Sequence, residues 1–227
     1  MADTLEIIKS LENQIEEALW ALEVHEELDK ALEVYQAAEQ KLTDLDLGAV
    51  DPAYSEQQRV LAYCLMRQGN LLRQMDKSAE AFVLSERELA AARLSEDQIT
   101  LARSLMSSGT NFILTRKIEQ GLALLEEARL VFEKGDSYDH RQGLGWYWIL
   151  QADLANADII DIPPPDVIKT ADRALEILMP IQNWPGVARA YAARAQAHEA
   201  LKDKSAAARD RQEQQVYERK TESGEIP

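Results

Sequence analysis

Apolar residues recur at three- and four-residue steps from near the start of the chain. Leu5, Ile8, Leu11, Ile15, Leu19 and Leu22 form one stripe, as an amphipathic helix with a buried face requires. Asp3 and Glu6 have the spacing of a capping box ahead of it. A second stripe runs through Leu28, Ala31, Leu32, Tyr35, Ala38 and Leu42. No sustained alternation of β-branched and aromatic residues predicts a strand. Turn formers then punctuate the chain. LDLGAVDPAYSEQQ breaks it at Gly48 and Pro52, with Ser55 and Gln58 placed to cap the next helix. ARLSEDQ offers Ser95 with Gln98 as another cap, and EKGDSYDH breaks at Gly135. IIDIPPPD breaks at Pro163–Pro165, with Asp166 as the expected N-cap. MPIQNWPG precedes a last helix that reaches about Lys220. The tail, residues 221–227, is expected to fray.

These helices fall into pairs that share a frame. In LARSLMSSGTNFILTRKIEQGLALLEEARL, let Ala102 open a unit. Leu105 is then fourth, Gly109 eighth, Phe112 eleventh, Gly121 twentieth, Leu125 twenty-fourth and Ala128 twenty-seventh. Small residues let two antiparallel helices approach, and the large ones fill the space beside them. The frame returns with Leu65, Gly69, Leu72 and Ala81, and with Ala31, Tyr35 and Ala38. Trp148 and Ala152, followed by Ala171, Leu175 and Leu178, make a fourth unit. Tyr191, Ala195 and Ala207 mark a fifth. The twentieth position thus falls at 31, 81, 121, 171 and 207, at intervals of 50, 40, 50 and 36 residues.

This pattern resembles the tetratricopeptide repeat (TPR), a helix–turn–helix unit of about 34 residues. The resemblance implies an all-α fold: an α-solenoid of about five antiparallel helix pairs, TPR-like and right-handed. It implies one domain over residues 1–220, with units near 3–46, 56–94, 96–134, 140–180 and 185–220. The 102–132 stretch matches best and 62–89 fairly. The first unit shows no clear turn, so residues 3–46 read as one long helix or as two. Arg211 stands where the family prefers an aromatic, which suits a terminal helix with one face in water.

Charge narrows the function. The chain carries 40 acidic and 25 basic side chains, a formal net of −15. Such a surface repels phosphate backbones, so no nucleic-acid partner is expected. Residues 1–50 hold 13 acids and 3 bases, whereas residues 188–220 hold 8 bases and 5 acids. That asymmetry reads either as an interaction cue or as a solvated acidic helix. Cys64 is the single cysteine, so no internal disulfide or thiolate cluster forms, and it reads as a small core residue. The start lacks a signal peptide's apolar core, and no run approaches the ~20 apolar residues of a span. A cytoplasmic protein with no membrane partner is the expectation.

Enzyme motifs are missing: no Gly-rich phosphate loop, GxSxG elbow or HExxH occurs. His25-Glu26-Glu27 begins like a zinc motif but continues to Asp29, and His140 and His198 lie far off. No metal and no cofactor are predicted. Asp153, Asp158 and Asp161 share one segment; such acids serve acid–base chemistry or solvate a helix end.

In the resembled family, the first helix of each unit lines a concave groove. Carried over, this implies Tyr63, Met66, Arg67, Asn70, Arg73 and Gln74 from the second unit. The third supplies Arg103, Met106, Ser107, Thr110, Ile113 and Leu114. The fourth supplies Trp146, Ile149, Leu150, Asp153, Asn156 and Ala157. Trp148 is expected in the core, and Trp146 either as a binding platform or in packing between repeats. Arg67, Arg73 and Arg103, beside Asn70, either orient an anionic group or pair with neighbouring acids. Chaperone-binding members of the family clamp a terminal carboxylate, but only Asn70 matches here. Met66, Ser107, Trp146 and Leu150 occupy other clamp positions. The resulting expectation is a non-enzymatic scaffold that binds a peptide or helix of a protein partner. Tyr63, Met66, Met106, Ile113, Trp146 and Ile149 supply apolar contact; Arg67, Asn70, Arg73, Arg103, Thr110 and Asp153 flank them. The alternatives are a regulatory sensor of a small anionic ligand and a helical enzyme. A monomer or weak homodimer is expected.

Overall fold

The structure is a computed structural model that describes residues 2–223. Ten α-helices and no strand occur among them. In order they are α1 (Ala2–Ala18), α2 (Leu28–Asp44), α3 (Tyr54–Gln74), α4 (Ser78–Leu94), α5 (Gln98–Leu114), α6 (Ile118–Phe132), α7 (Tyr138–Asn156), α8 (Pro164–Leu178), α9 (Trp184–Ala200) and α10 (Lys204–Glu222). They make the five expected antiparallel pairs. Of the tail expected to fray, Thr221 and Glu222 instead close α10 with Ser223 as its cap, and residues 224–227 lie outside the described residues.

The 3–46 segment is two helices. α1 runs into a π-helical turn, Leu19–Glu23, where the Val24 N–H donates to the Leu19 carbonyl at 3.0 Å. The chain then reverses at Glu26, whose φ is 62°. This reversal recurs. Glu26, Asp76, Arg116 and Lys202 all have φ near +60°, each five residues before the small residue at the twentieth position. The residue after each one bonds back to a carbonyl of the preceding helix. Lys77 N–H reaches Leu72 O at 2.7 Å, and Lys117 reaches Phe112 and Asp203 reaches His198, both at 2.9 Å. These are Schellman-type helix ends. The fourth pair instead turns at Asp158 and takes a longer loop into Pro163 and Pro164, which open α8.

Three expected caps shift by a few residues. Ala53, not Ser55, precedes α3, and the Ser55 hydroxyl donates to the Ser95 carbonyl. Asp97 caps α5, accepting from Thr100 N–H at 2.6 Å, while Ser95 closes α4. Pro163 precedes α8, so Asp166 falls inside its first turn and pairs with Lys169 at 2.7 Å. Asp3 likewise lies in the first turn of α1.

Contacts divide the chain into two compact units, Met1–Ala128 and Arg129–Pro227, the division falling inside α6. In the first, Ile8, Leu11, Ile15, Tyr35, Leu42, Val60 and Leu71 form the main core. Cys64 belongs to it; its thiol donates to the Tyr35 carbonyl at 3.1 Å, and burial pushes its pKa up to about 12. In the second, Ile149, Leu175, Leu178 and Val187 are joined by a layer of alanines. Alanine on several sides of α9 lets α7, α8 and α10 all approach it. α10 buries only Ala206, Ala207 and Asp210, so its outer face is polar, as expected of a terminal helix.

Candidate functional site

In the first unit the first helices of the pairs touch one another, α1 on α3 and α3 on α5. They form one layer, and α3 and α5 carry the first-unit residues expected to bind. Tyr63, Met66, Asn70 and Arg73 of α3 are half-buried there, as are Arg103, Met106 and Thr110 of α5. Thr110 donates back to the Met106 carbonyl at 2.9 Å. Burial raises the Tyr63 hydroxyl pKa, with Arg67, Glu16 and Arg103 among its charged neighbours.

The arginines are engaged inside the protein. Arg67 pairs with Glu23 from the π turn, and the two side chains are only 15% and 8% exposed. Tyr35 donates to the same carboxylate at 2.9 Å. Burial opposes the Arg67 charge, but Glu23 outweighs it, so the guanidinium pKa rises. Arg73 donates to Asn111 at 3.0 Å and to Asn70. Arg59 bridges Glu12 and Glu56, each at 2.7 Å.

Ile113 corrects the expectation. It is 2% exposed and lies where α5 meets α6. A Cβ on Gly121 would fall 2.5 Å from both the Gly109 carbonyl oxygen and Ile113 Cγ1. The small pair at positions eight and twenty therefore crosses as expected, and Ile113 seals the crossing instead of facing a partner.

In the second unit, Ile149 is likewise 2% exposed and belongs to the core. Trp146 is half-buried against that same cluster. Trp148, expected in the core, is also half-buried, with the Arg173 guanidinium 5.0 Å from its ring. Tyr147 is the more deeply buried neighbour, at 7%. Asp153 accepts from Arg189 at 3.0 Å; burial raises its pKa and Arg189 opposes the rise. Asp158 and Asp161 are exposed, so the three acids form no buried cluster. Among the described residues, no group of three His, Cys, Asp or Glu is placed to hold a metal ion. No described helix is long and apolar enough to cross a membrane.

Two features escaped the sequence reading. A shallow hollow of about 690 Å³, widely open to solvent, lies against Asn13, Glu16, Glu17, Trp20 and Ala21. The spacing of Asn13, Glu16, Glu17 and Trp20 on one helical face was the available signal. The other is Glu88, 1% exposed between α4 and its neighbours. It occupies the twenty-seventh position of its unit, where other units place Ala38 and Ala128.

Antiparallel helix pairs, crossed at small residues and joined by a repeated left-handed turn, define a TPR-like helical repeat fold. Similar solved structures agree. BtubC (BKLC) from P. vanneervenii has a TM-score of 0.58 at 15% identity, covering 99% of this chain and 94% of that one. The apo form of RapI has a TM-score of 0.59 at 13% identity, covering 99% of this chain and 67% of that one. A Podosopora anserina putative kinesin light chain with nearly identical TPR-like repeats reaches 0.50 at 11% identity, covering 97% and 95%. At such identities the likeness is one of fold. The sequence matches no protein-family model and no curated protein.

Proposed function

We propose that the protein is a non-enzymatic interaction module, and that the open side of the α1–α3–α5 layer binds a segment of a partner protein. The half-buried Tyr63, Met66 and Met106 carry this reading, because they offer adaptable apolar contact on helices already locked together. The alternative of a small anionic ligand loses support from the same face. Arg67 and Arg73 are committed to Glu23, Asn70 and Asn111. The Trp146–Asp153 face of α7 is proposed as a lesser contact surface of its own unit, without the buried Ile149.

The test is affinity capture from the native cell with the intact protein and with a Met66→Glu/Met106→Glu variant, read by mass spectrometry. We expect proteins enriched by the wild type to be lost from the variant while its helical circular dichroism is unchanged. An identical captured set would remove this face from the function.

A further inference from the structure

Resting on the groove reading above, the geometry points to a partner segment rich in lysine or arginine. We propose that the Asn13–Trp20 face of α1 and its π turn seats its cationic side chains. Negative charge is left over on this face after internal pairing. On α3, Arg67 is neutralised by Glu23, and Arg59 by Glu12 and Glu56. Glu16 and Glu17 are different: both are exposed, and no ion pair among the described residues engages them. They line the 690 Å³ hollow together with Asn13 and Trp20. Trp20 is 42% exposed, unusual for so large an apolar ring. An exposed indole beside two unpaired carboxylates matches an ammonium or guanidinium, which the carboxylates attract and the ring face holds. The π turn contributes to this arrangement. It aims Glu23 at Arg67 while leaving Trp20 outside. The surrounding field has the same sign, since residues 1–50 hold 13 acids and 3 bases.

The experiment uses the intact protein and three short fluorescein-labelled amphipathic peptides. These share one leucine face and carry lysine, glutamine or glutamate on the other. Anisotropy should show the lysine peptide binding most tightly, with affinity falling as salt rises. Glu16→Gln/Glu17→Gln should weaken it about tenfold, and Trp20→Ala should weaken it further. Glu33→Gln/Glu80→Gln, which removes the same charge from other exposed positions, should leave affinity within about twofold. Equal losses in both double variants would overturn the proposal, because the whole field would then suffice. A lysine peptide insensitive to Glu16→Gln/Glu17→Gln but lost in Met66→Glu/Met106→Glu would also overturn it while sparing the groove. Preference for the glutamate peptide would overturn it too, and absence of binding by all three would overturn both readings.

Discussion

At the position where other pairs carry Ala38 or Ala128, the second pair buries the carboxyl of Glu88. The Ser104 and Ser107 hydroxyls of α5 and Arg73 of α3 favour its ionised form. Yet Glu88 Oε1 and Ser107 Oγ each lack a hydrogen-bond partner of normal geometry. Burial therefore wins, raising the pKa from 4.5 to about 8. The folded state then holds a proton that the unfolded chain has already released. Stability should fall as pH rises through this window and level off above it. Glu88→Gln keeps the neutral shape without the titration. We expect its melting temperature to match the wild type near pH ~4 and to exceed it clearly near pH ~9. Parallel melting curves at both pH values would exclude Glu88 as the source. The Gly109–Gly121 crossing makes a second test at this scale. Even one methyl at Gly121 meets backbone, so Gly121→Ala should cost about 1–3 kcal/mol in urea unfolding. A wild-type midpoint would show that the crossing yields easily.

Between helices, the repeated element is a turn made by residues that dislike it. Left-handed backbone costs an ordinary L-residue about 1–2 kcal/mol, and glycine avoids that cost at a smaller entropic loss. Arg116 and Gln182 both adopt it and are exposed, so their side chains anchor nothing large. Arg116→Gly and Gln182→Gly should each stabilise by about 0.5 kcal/mol, read as a higher midpoint in denaturant. An unchanged or lower midpoint would mean that the side chains contribute more than the strain. The π turn after α1 is the opposite case, an irregular element held by a buried ion pair. Arg67→Ala would leave Glu23 buried without its cation, at a cost of about 3 kcal/mol. The companion Arg67→Ala/Glu23→Ala variant should recover part of that loss.

For the molecule as a whole, the formal charge of −15 and its crowding into the first fifty residues bear on self-association. Tyr35 is fully buried and offers nothing to a second copy. Leu5, Ile7 and Trp20 are exposed on α1 and its π turn, but acids separate them. We expect light scattering to give mainly monomer mass at 0.1 M salt, where the screening length is ~10 Å. Any dimer should grow at 1 M, where ~3 Å screening removes the repulsion. A dimer seen only at low salt would instead mean pairing of opposite charges. The number of helix pairs, their small-and-large frame and the crossing at Gly109 and Gly121 were determined by sequence alone. Helical period makes these local properties, readable residue by residue. The caps of α3, α5 and α8 were misplaced by a few residues, because several polar side chains compete for each helix end. Only tertiary structure decided what the candidate site contains. Arg67 finds Glu23 forty-four residues away. Ile113 and Ile149, placed by the frame on the groove, are buried by the close approach of neighbouring helices. A one-dimensional frame gives a residue's direction around its own helix. It cannot give the distance to the next helix, and that distance decides between a surface that binds and a core that packs.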